Sequence, residues 1–307
     1  AIFRYVNRTA PNVAFTPAQH DARDIFASGL IGLGGIAFSS EKANQVSMAV
    51  NGIADVEALV GPTPPIYSGK ASLYVLEAGV KLLAAGRADF LYLSTTDFMQ
   101  HKFTPEAPES LEFYAAIDAQ LGQLLELGAL VGVTADHGMN AKQRPDGTPN
   151  VIYLESELEK AFGPGFRVIL PITDPYVVHH GALGSFAQVH LPTGQIGRLG
   201  EVMQFTRNLT GITEVLDQQT AARLMELPRD RMGDLVVCSG RDVVIGRTPQ
   251  YHDLKVIEGG LRSHGGRYEE MVPFVFSAPL NATYAARAKG DPRNFDLFDY
   301  LCNGTRP

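Results

Sequence analysis

One short segment pairs a carboxylate with an imidazole at a spacing that suits a metal ion. Asp97 and His101 stand four residues apart. If the chain is helical there, both side chains lie on one face and can bind one cation. A carboxylate oxygen and an imidazole nitrogen are ligands that zinc accepts. The alternative is a helix-capping Asp followed by a surface His, and the pair alone favours this alternative because short motifs often match by chance.

A second pair consists of the adjacent residues Asp136 and His137. Neighbouring residues can both bind metal only where the backbone turns sharply, and Gly138 permits such a turn. The alternative is a polar turn that caps a following helix, and the motif alone leaves the two interpretations equally open.

His264 is a further candidate ligand because it lies in a Ser-His-Gly-Gly turn. Its surroundings leave a ligand role and a structural role equally open. His179 and His180 resemble a metal pair in composition, but Asp174-Pro175 and Gly181 predict a turn, which favours a structural or rim position. The sequence has no P-loop, no Gly-x-Ser-x-Gly elbow and no Cys/His nucleophile pair.

The elements around the two pairs alternate between strand and helix. Residues 90–93 and 129–134 are short apolar runs typical of buried strands, and residues 105–127 have helical spacing with Gly128 as a stop. Each pair follows one of these strands, at the end where open α/β sheets place their sites. Sequential strands usually lie close together, so both pairs are expected at the same sheet edge. The predicted fold class is α/β.

The pattern changes in the middle of the chain. Strand-like runs at 168–170, 186–191 and 235–237 are interleaved with helical stretches such as Gln218–Met225, and residues 271–276 resemble a return to the first sheet. We therefore predict a metal-binding α/β core from residues 1–150 and 261–307, with an inserted α+β cap subdomain at 151–260.

Composition limits the classes of function. A net charge of -7 and a pI near 5.6 argue against nucleic-acid binding. Two cysteines exclude a disulfide framework, and no run of residues has the length and apolarity to cross a bilayer. The expected setting is cytoplasmic, with neither a membrane nor nucleic acid as partner.

Several motifs together resemble a known family. Residues 94–102 (STTDFMQHK) and 134–142 (TADHGMNAK) resemble the metal motifs of the alkaline phosphatase superfamily. Residues 38–43, 170–185 and 261–266 resemble the phosphonoacetate hydrolase family more closely, and the resemblance extends from about residue 36 to residue 300.

The resemblance implies an alkaline-phosphatase-like core sheet flanked by helices, with an inserted cap and two Zn²⁺ ions. Asp97, His101 and His264 would bind one zinc, whereas Asp136 and His137 would bind the other with an Asp from the first core strand. A threonine would attack phosphorus, and hydrolysis of the carbon–phosphorus bond of phosphonoacetate would give acetate and phosphate. The expected partner is a small anionic phosphonate.

The beginning of the sequence departs from the family. The first-strand Asp and the nucleophilic Thr have no counterpart, because Thr9 lies too few residues before Phe38 and follows no strand. No lysine precedes Lys42, although the family uses lysines there for its substrate. The chain is therefore expected to lack the N-terminal part of the family, to have one complete and one partial zinc site, and to be poorly stable. No catalytic residue is assigned.

Two classes of function follow from these observations. The first is a phosphonoacetate hydrolase, with a related phosphodiesterase or phosphomonoesterase as its nearest rival; the segment 174–185 favours the former. The second is an inactive metal-binding remnant that lacks the Thr nucleophile. The oligomeric state stays open, with a homodimer as one option.

Overall fold

The computed structural model describes residues 13–19, 23–24, 27, 30, 33–171, 182–257 and 259–305. The chain divides into two compact units. Unit 1 consists of Ala1–Val133 and Phe274–Pro307, and unit 2 of Thr134–Pro273. Among the described residues, no helix combines the length and apolarity needed to cross a membrane.

The strands are short and are numbered in chain order. They are β1 (Val13–Pro17), β2 (Ile36–Ala37), β3 (Phe90–Ser94), β4 (Gly132–Thr134), β5 (Asn140–Ala141), β6 (Val151–Tyr153), β7 (Arg167–Ile169), β8 (Phe186–His190), β9 (Ile212–Asp217), β10 (Leu235–Ser239), β11 (Val244–Gly246), β12 (Arg262–Ser263) and β13 (Phe274–Phe276).

The α-helices lie between and after these strands. They are Met48–Asn51, Glu57–Val60, Gly69–Ala84, Phe98–Lys102, Pro108–Glu126, Leu154–Phe162, Leu199–Arg207, Gln218–Met225, Ala282–Arg287 and Leu297–Asp299.

Unit 1 is built on a parallel sheet in which β1 lies between β2 and β3. The helix Gly69–Ala84 packs on it because its apolar residues recur at helical spacing and form one buried face. That face contributes to a core cluster with Ala14, Ile36 and Phe38. Since β1 and β3 are parallel and in register from Val13 to Pro17, their carboxyl ends lie side by side.

Gly52 ends the helix Met48–Asn51 in a left-handed conformation, with φ of 69°. A Cβ atom added there would lie directly against the carbonyl oxygen of Gly35, which is backbone and cannot move aside. Gly128 has a similar φ of 83°, but a Cβ there would meet open space.

We therefore expect Gly52→Ala to lower the free energy of unfolding by about 2–4 kcal/mol, from left-handed strain and backbone displacement together. Gly128→Ala should lower it by only about 1 kcal/mol, from the strain alone. Urea unfolding followed by circular dichroism measures both variants. If both variants lost the same free energy of unfolding, the contact with Gly35 would have no effect on stability.

Unit 2 has a four-stranded antiparallel sheet in the order β7-β8-β10-β9. The central strand β10 is buried along its whole length, which fits its apolar sequence. Its side chains join a core that includes Leu154, Leu158 and Val202 from the helices Leu154–Phe162 and Leu199–Arg207. Two further strand pairs, β6 with β11 and β5 with β12, complete the unit.

The sequence predicted several of these elements. The helix at 105–127 is confirmed as Pro108–Glu126, with Gly128 just beyond its end, and Gln218–Met225 has the predicted bounds. One prediction is not met: within the described residues, hydrogen bonding places β3 and β4 in different sheets, and β4 pairs with β13. The division into a core and a cap at residues 150 and 260 stays a prediction.

Candidate metal centre

Asp97 and His101 lie together directly after β3. A short loop joins β3 to this pair. A hydrogen bond ties the loop to the helix Gly69–Ala84, because the Thr96 amide donates to Ser72 Oγ at 3.0 Å. The short helix Phe98–Lys102 then begins, with Asp97 at its N-cap position.

The geometry of this pair excludes the interpretation as a cap and a surface histidine. Asp97 Oδ2 lies 3.0 Å from His101 Nε2, and the Asp97 side chain makes no capping hydrogen bond. The His101 side chain is only 1% exposed, whereas that of Asp97 is 38% exposed. A helical i,i+4 pair therefore brings one oxygen and one nitrogen donor together, which is the interpretation that the pair alone did not favour.

Asp136 and His137 lie in unit 2, in the segment that leads into β5. The segment does not enter a helix, so the interpretation as a helix cap is wrong. The amide of Gly138 donates to the carbonyl of Glu269 at 2.7 Å and holds the turn closed.

The pairing of β5 with β12 brings two distant histidines together. The strands are antiparallel, with Ser263 opposite Asn140, so the residues that flank this pair approach each other. The rings of His137 and His264 are stacked, with centroids 3.5 Å apart and planes inclined by 5°. Unit 2 thus gathers two imidazoles at one place.

The hydrogen bond of His137 fixes its tautomer. His137 Nδ1 lies 2.9 Å from the carbonyl oxygen of Gly138, which can only accept, so Nδ1 carries the proton. In the neutral ring Nε2 then bears the lone pair that a metal needs. Asp136 Oδ1 lies 3.7 Å from this Nε2, and the Asp136 side chain is 88% exposed.

The turn that carries His264 is held on both sides. The amide of Ser185 donates to the His264 carbonyl at 2.8 Å, and Gly265 follows with φ of 105°. Next, the amide of Gly266 donates to Glu269 Oε2 at 2.9 Å. The turn is therefore bound through its main chain.

A buried ion pair beside these turns was not predicted. Lys142 Nζ lies 2.9 Å from Glu269 Oε1, and both side chains are at most 1% exposed. Burial lowers the pKa of Lys142, and the hydrogen bond to Glu269 opposes this shift. No local pattern connects the partners, which are 127 residues apart.

His179, His180 and Thr9 lie outside the described residues. His252 is buried and accepts a hydrogen bond from the Arg247 amide at 3.0 Å, which is a structural role.

The donor types in both units suit zinc. Unit 1 supplies a carboxylate oxygen and a buried imidazole, and unit 2 supplies two imidazoles and an exposed carboxylate. Nitrogen and oxygen donors of this kind match zinc, whereas calcium and magnesium prefer oxygen alone.

Comparison with known proteins identifies the relatives. Residues 76–266 match the family model for type I phosphodiesterase / nucleotide pyrophosphatase. Phosphonoacetate hydrolase from Sinorhizobium meliloti 1021, solved with phosphonoformate and with phosphonoacetate, is 42% identical to the chain. The match covers 100% of this chain and 74% of that chain, with a TM-score of 0.89.

A more distant structure shows the same fold. Murine ectonucleotide pyrophosphatase / phosphodiesterase 5 is 14% identical, with a TM-score of 0.56 over 99% of this chain and 71% of that chain. The α/β fold predicted from the sequence is thus confirmed. The family that the motifs resemble is confirmed as well. The chain belongs to the phosphonoacetate hydrolase family of the alkaline phosphatase superfamily and is an enzyme of the hydrolase class.

Proposed function

We propose that this protein hydrolyses the carbon–phosphorus bond of phosphonoacetate with the help of bound zinc. The observation that carries the proposal is the 42% identity, over the whole chain, to an enzyme solved with phosphonoacetate. The carboxylate–imidazole pair of unit 1 and the stacked imidazoles of unit 2 support it, because they supply metal donors at the residues that the motifs single out.

Asp97, His101 and His264 are proposed as ligands of one zinc, and Asp136 and His137 as ligands of a second. Asp97 and His101 already place an oxygen and a nitrogen donor 3.0 Å apart. When bound, the cations neutralise charge on the phosphoryl oxygens and lower the pKa of an attacking hydroxyl.

The reaction consumes one water molecule. A phosphorus–oxygen bond forms, the phosphorus–carbon bond breaks, and its electron pair passes to the methylene carbon, which takes a proton to give acetate. The other product is phosphate. None of the described residues is assigned as the nucleophile, so the roles proposed here are those of metal ligands.

The test combines metal analysis with turnover. Zinc per chain is measured by mass spectrometry, and phosphate release from phosphonoacetate is followed before and after chelation and again after zinc is restored. We expect bound zinc and a phosphate release that falls on chelation and returns with zinc. Cleavage of bis-nitrophenyl phosphate without cleavage of phosphonoacetate would overturn the substrate in favour of a phosphodiester. Bound zinc without turnover of either compound would instead indicate an inactive metal-binding protein.

A further inference from the structure

Glu269 contacts both turns that carry the histidines of unit 2. Its main-chain carbonyl accepts from the Gly138 amide at 2.7 Å, next to His137. Its side-chain Oε2 accepts from the Gly266 amide at 2.9 Å, two residues beyond His264. Glu269 therefore joins the two histidine-bearing segments, one through its main chain and the other through its side chain.

The other carboxylate oxygen of Glu269 is held from two directions. Oε1 accepts from Asn140 Nδ2 at 2.6 Å and from Lys142 Nζ at 2.9 Å. Lys142 also donates to the Arg241 carbonyl at 2.7 Å, and Arg241 Nε donates to Asn140 Oδ1 at 3.0 Å. The glutamate is thus fixed by a closed network in which both of its oxygens are used.

The chemistry of the network requires a carboxylate at this position. Both oxygens of Glu269 act as acceptors, whereas an amide would present a donor on one side. A glutamine would therefore face either the Gly266 amide or the donors Asn140 and Lys142 with its own N–H groups. The burial of Lys142 and Glu269 makes a mismatch costly, because water does not reach the unpaired group.

We propose that Glu269 is a positioning residue that holds His137 and His264 in their stacked arrangement, with Lys142 neutralising its charge. This inference rests on the proposed function only in so far as the two histidines are taken as metal ligands. Groups that orient the ligands of a metal commonly affect metal affinity by 10–100-fold when removed. Glu269 acts here on the main chain beside each ligand.

The test compares Glu269→Gln with Glu270→Gln. The control removes an exposed carboxylate that pairs with Arg267 at 2.6 Å, one position along the same segment. We expect Glu269→Gln to weaken zinc binding by about 10–100-fold, measured by competition with a chromophoric chelator, and to lower kcat with little change in KM. Glu270→Gln should change neither quantity. Unchanged zinc affinity in Glu269→Gln would overturn the proposal.

A readout on metal-free protein tests the positioning directly. Ring ¹H–¹⁵N spectra of histidine-labelled protein, assigned with His137→Ala and His264→Ala, report the tautomer and surroundings of both rings. We expect Glu269→Gln to move both ring signals, with the other histidines unchanged. Ring signals that stay in place would contradict the positioning role of Glu269 even if the protein bound no zinc. Absence of zinc binding would instead contradict the proposed function, so the two proposals fail by different observations.

A second variant separates positioning from stability. Glu269→Gln leaves the charge of Lys142 buried without its partner, which destabilises the fold by itself. The double variant with Lys142→Met removes that charge, so the urea midpoint should recover while zinc affinity and ring signals stay altered. If the urea midpoint, the zinc affinity and the ring signals all recovered, the Lys142–Glu269 pair would serve stability alone.

Discussion

Replacing Asp97 with asparagine should reduce the phosphonoacetate turnover by about 10³-fold and remove about one zinc ion per chain. The amide keeps the shape of the side chain but loses the negative charge that binds the cation. A metal ion contributes several kcal/mol to transition-state stabilisation, and about 4 kcal/mol corresponds to 10³-fold in rate. The fold should be retained, because asparagine keeps the size of the side chain at a position that is 38% exposed.

The matched control for this variant is Asp118→Asn. Asp118 lies exposed on the helix Pro108–Glu126 of the same unit, and it belongs to neither donor pair. Zinc content by mass spectrometry and phosphate release should be unchanged in the control. If Asp97→Asn keeps its full zinc content, Asp97 is not a ligand, and the assignment made from its spacing with His101 fails.

Replacing Leu235 with alanine should lower the free energy of unfolding by about 3 kcal/mol. Leu235 is fully buried in β10, the strand that lies between β8 and β9, and it belongs to the main core of unit 2. The loss combines the transfer of the deleted methyl groups with the cavity that a close-packed sheet leaves behind. Thermal unfolding followed by circular dichroism should show a midpoint lower by roughly 6–12 °C.

Leu224→Ala provides the comparison. Leu224 is 47% exposed on the helix Gln218–Met225, so its removal should change stability by less than about 0.5 kcal/mol. A similar midpoint in the two variants would mean that β10 does not carry the core of unit 2 in solution.

Local patterns in the sequence determined much of the fold. The helix Pro108–Glu126 follows from helical spacing and the strand Phe90–Ser94 from a short apolar run, and both signals depend only on neighbouring residues. The pairing of Asp97 with His101 follows in the same way, because an i,i+4 spacing fixes the distance once the segment is helical. The motifs also determined the family, which the comparisons confirm.

Only the tertiary structure decided the burial of His101, the partners of each strand and the meeting of His137 with His264. Burial depends on what packs over a side chain, and the strand partners depend on segments far away in the chain. The stacked histidines result from the antiparallel pairing of β5 with β12, two strands of two residues each whose own sequences specify no partner. The same holds for Lys142 and Glu269, because a buried pair is stabilised by contacts that no local pattern records.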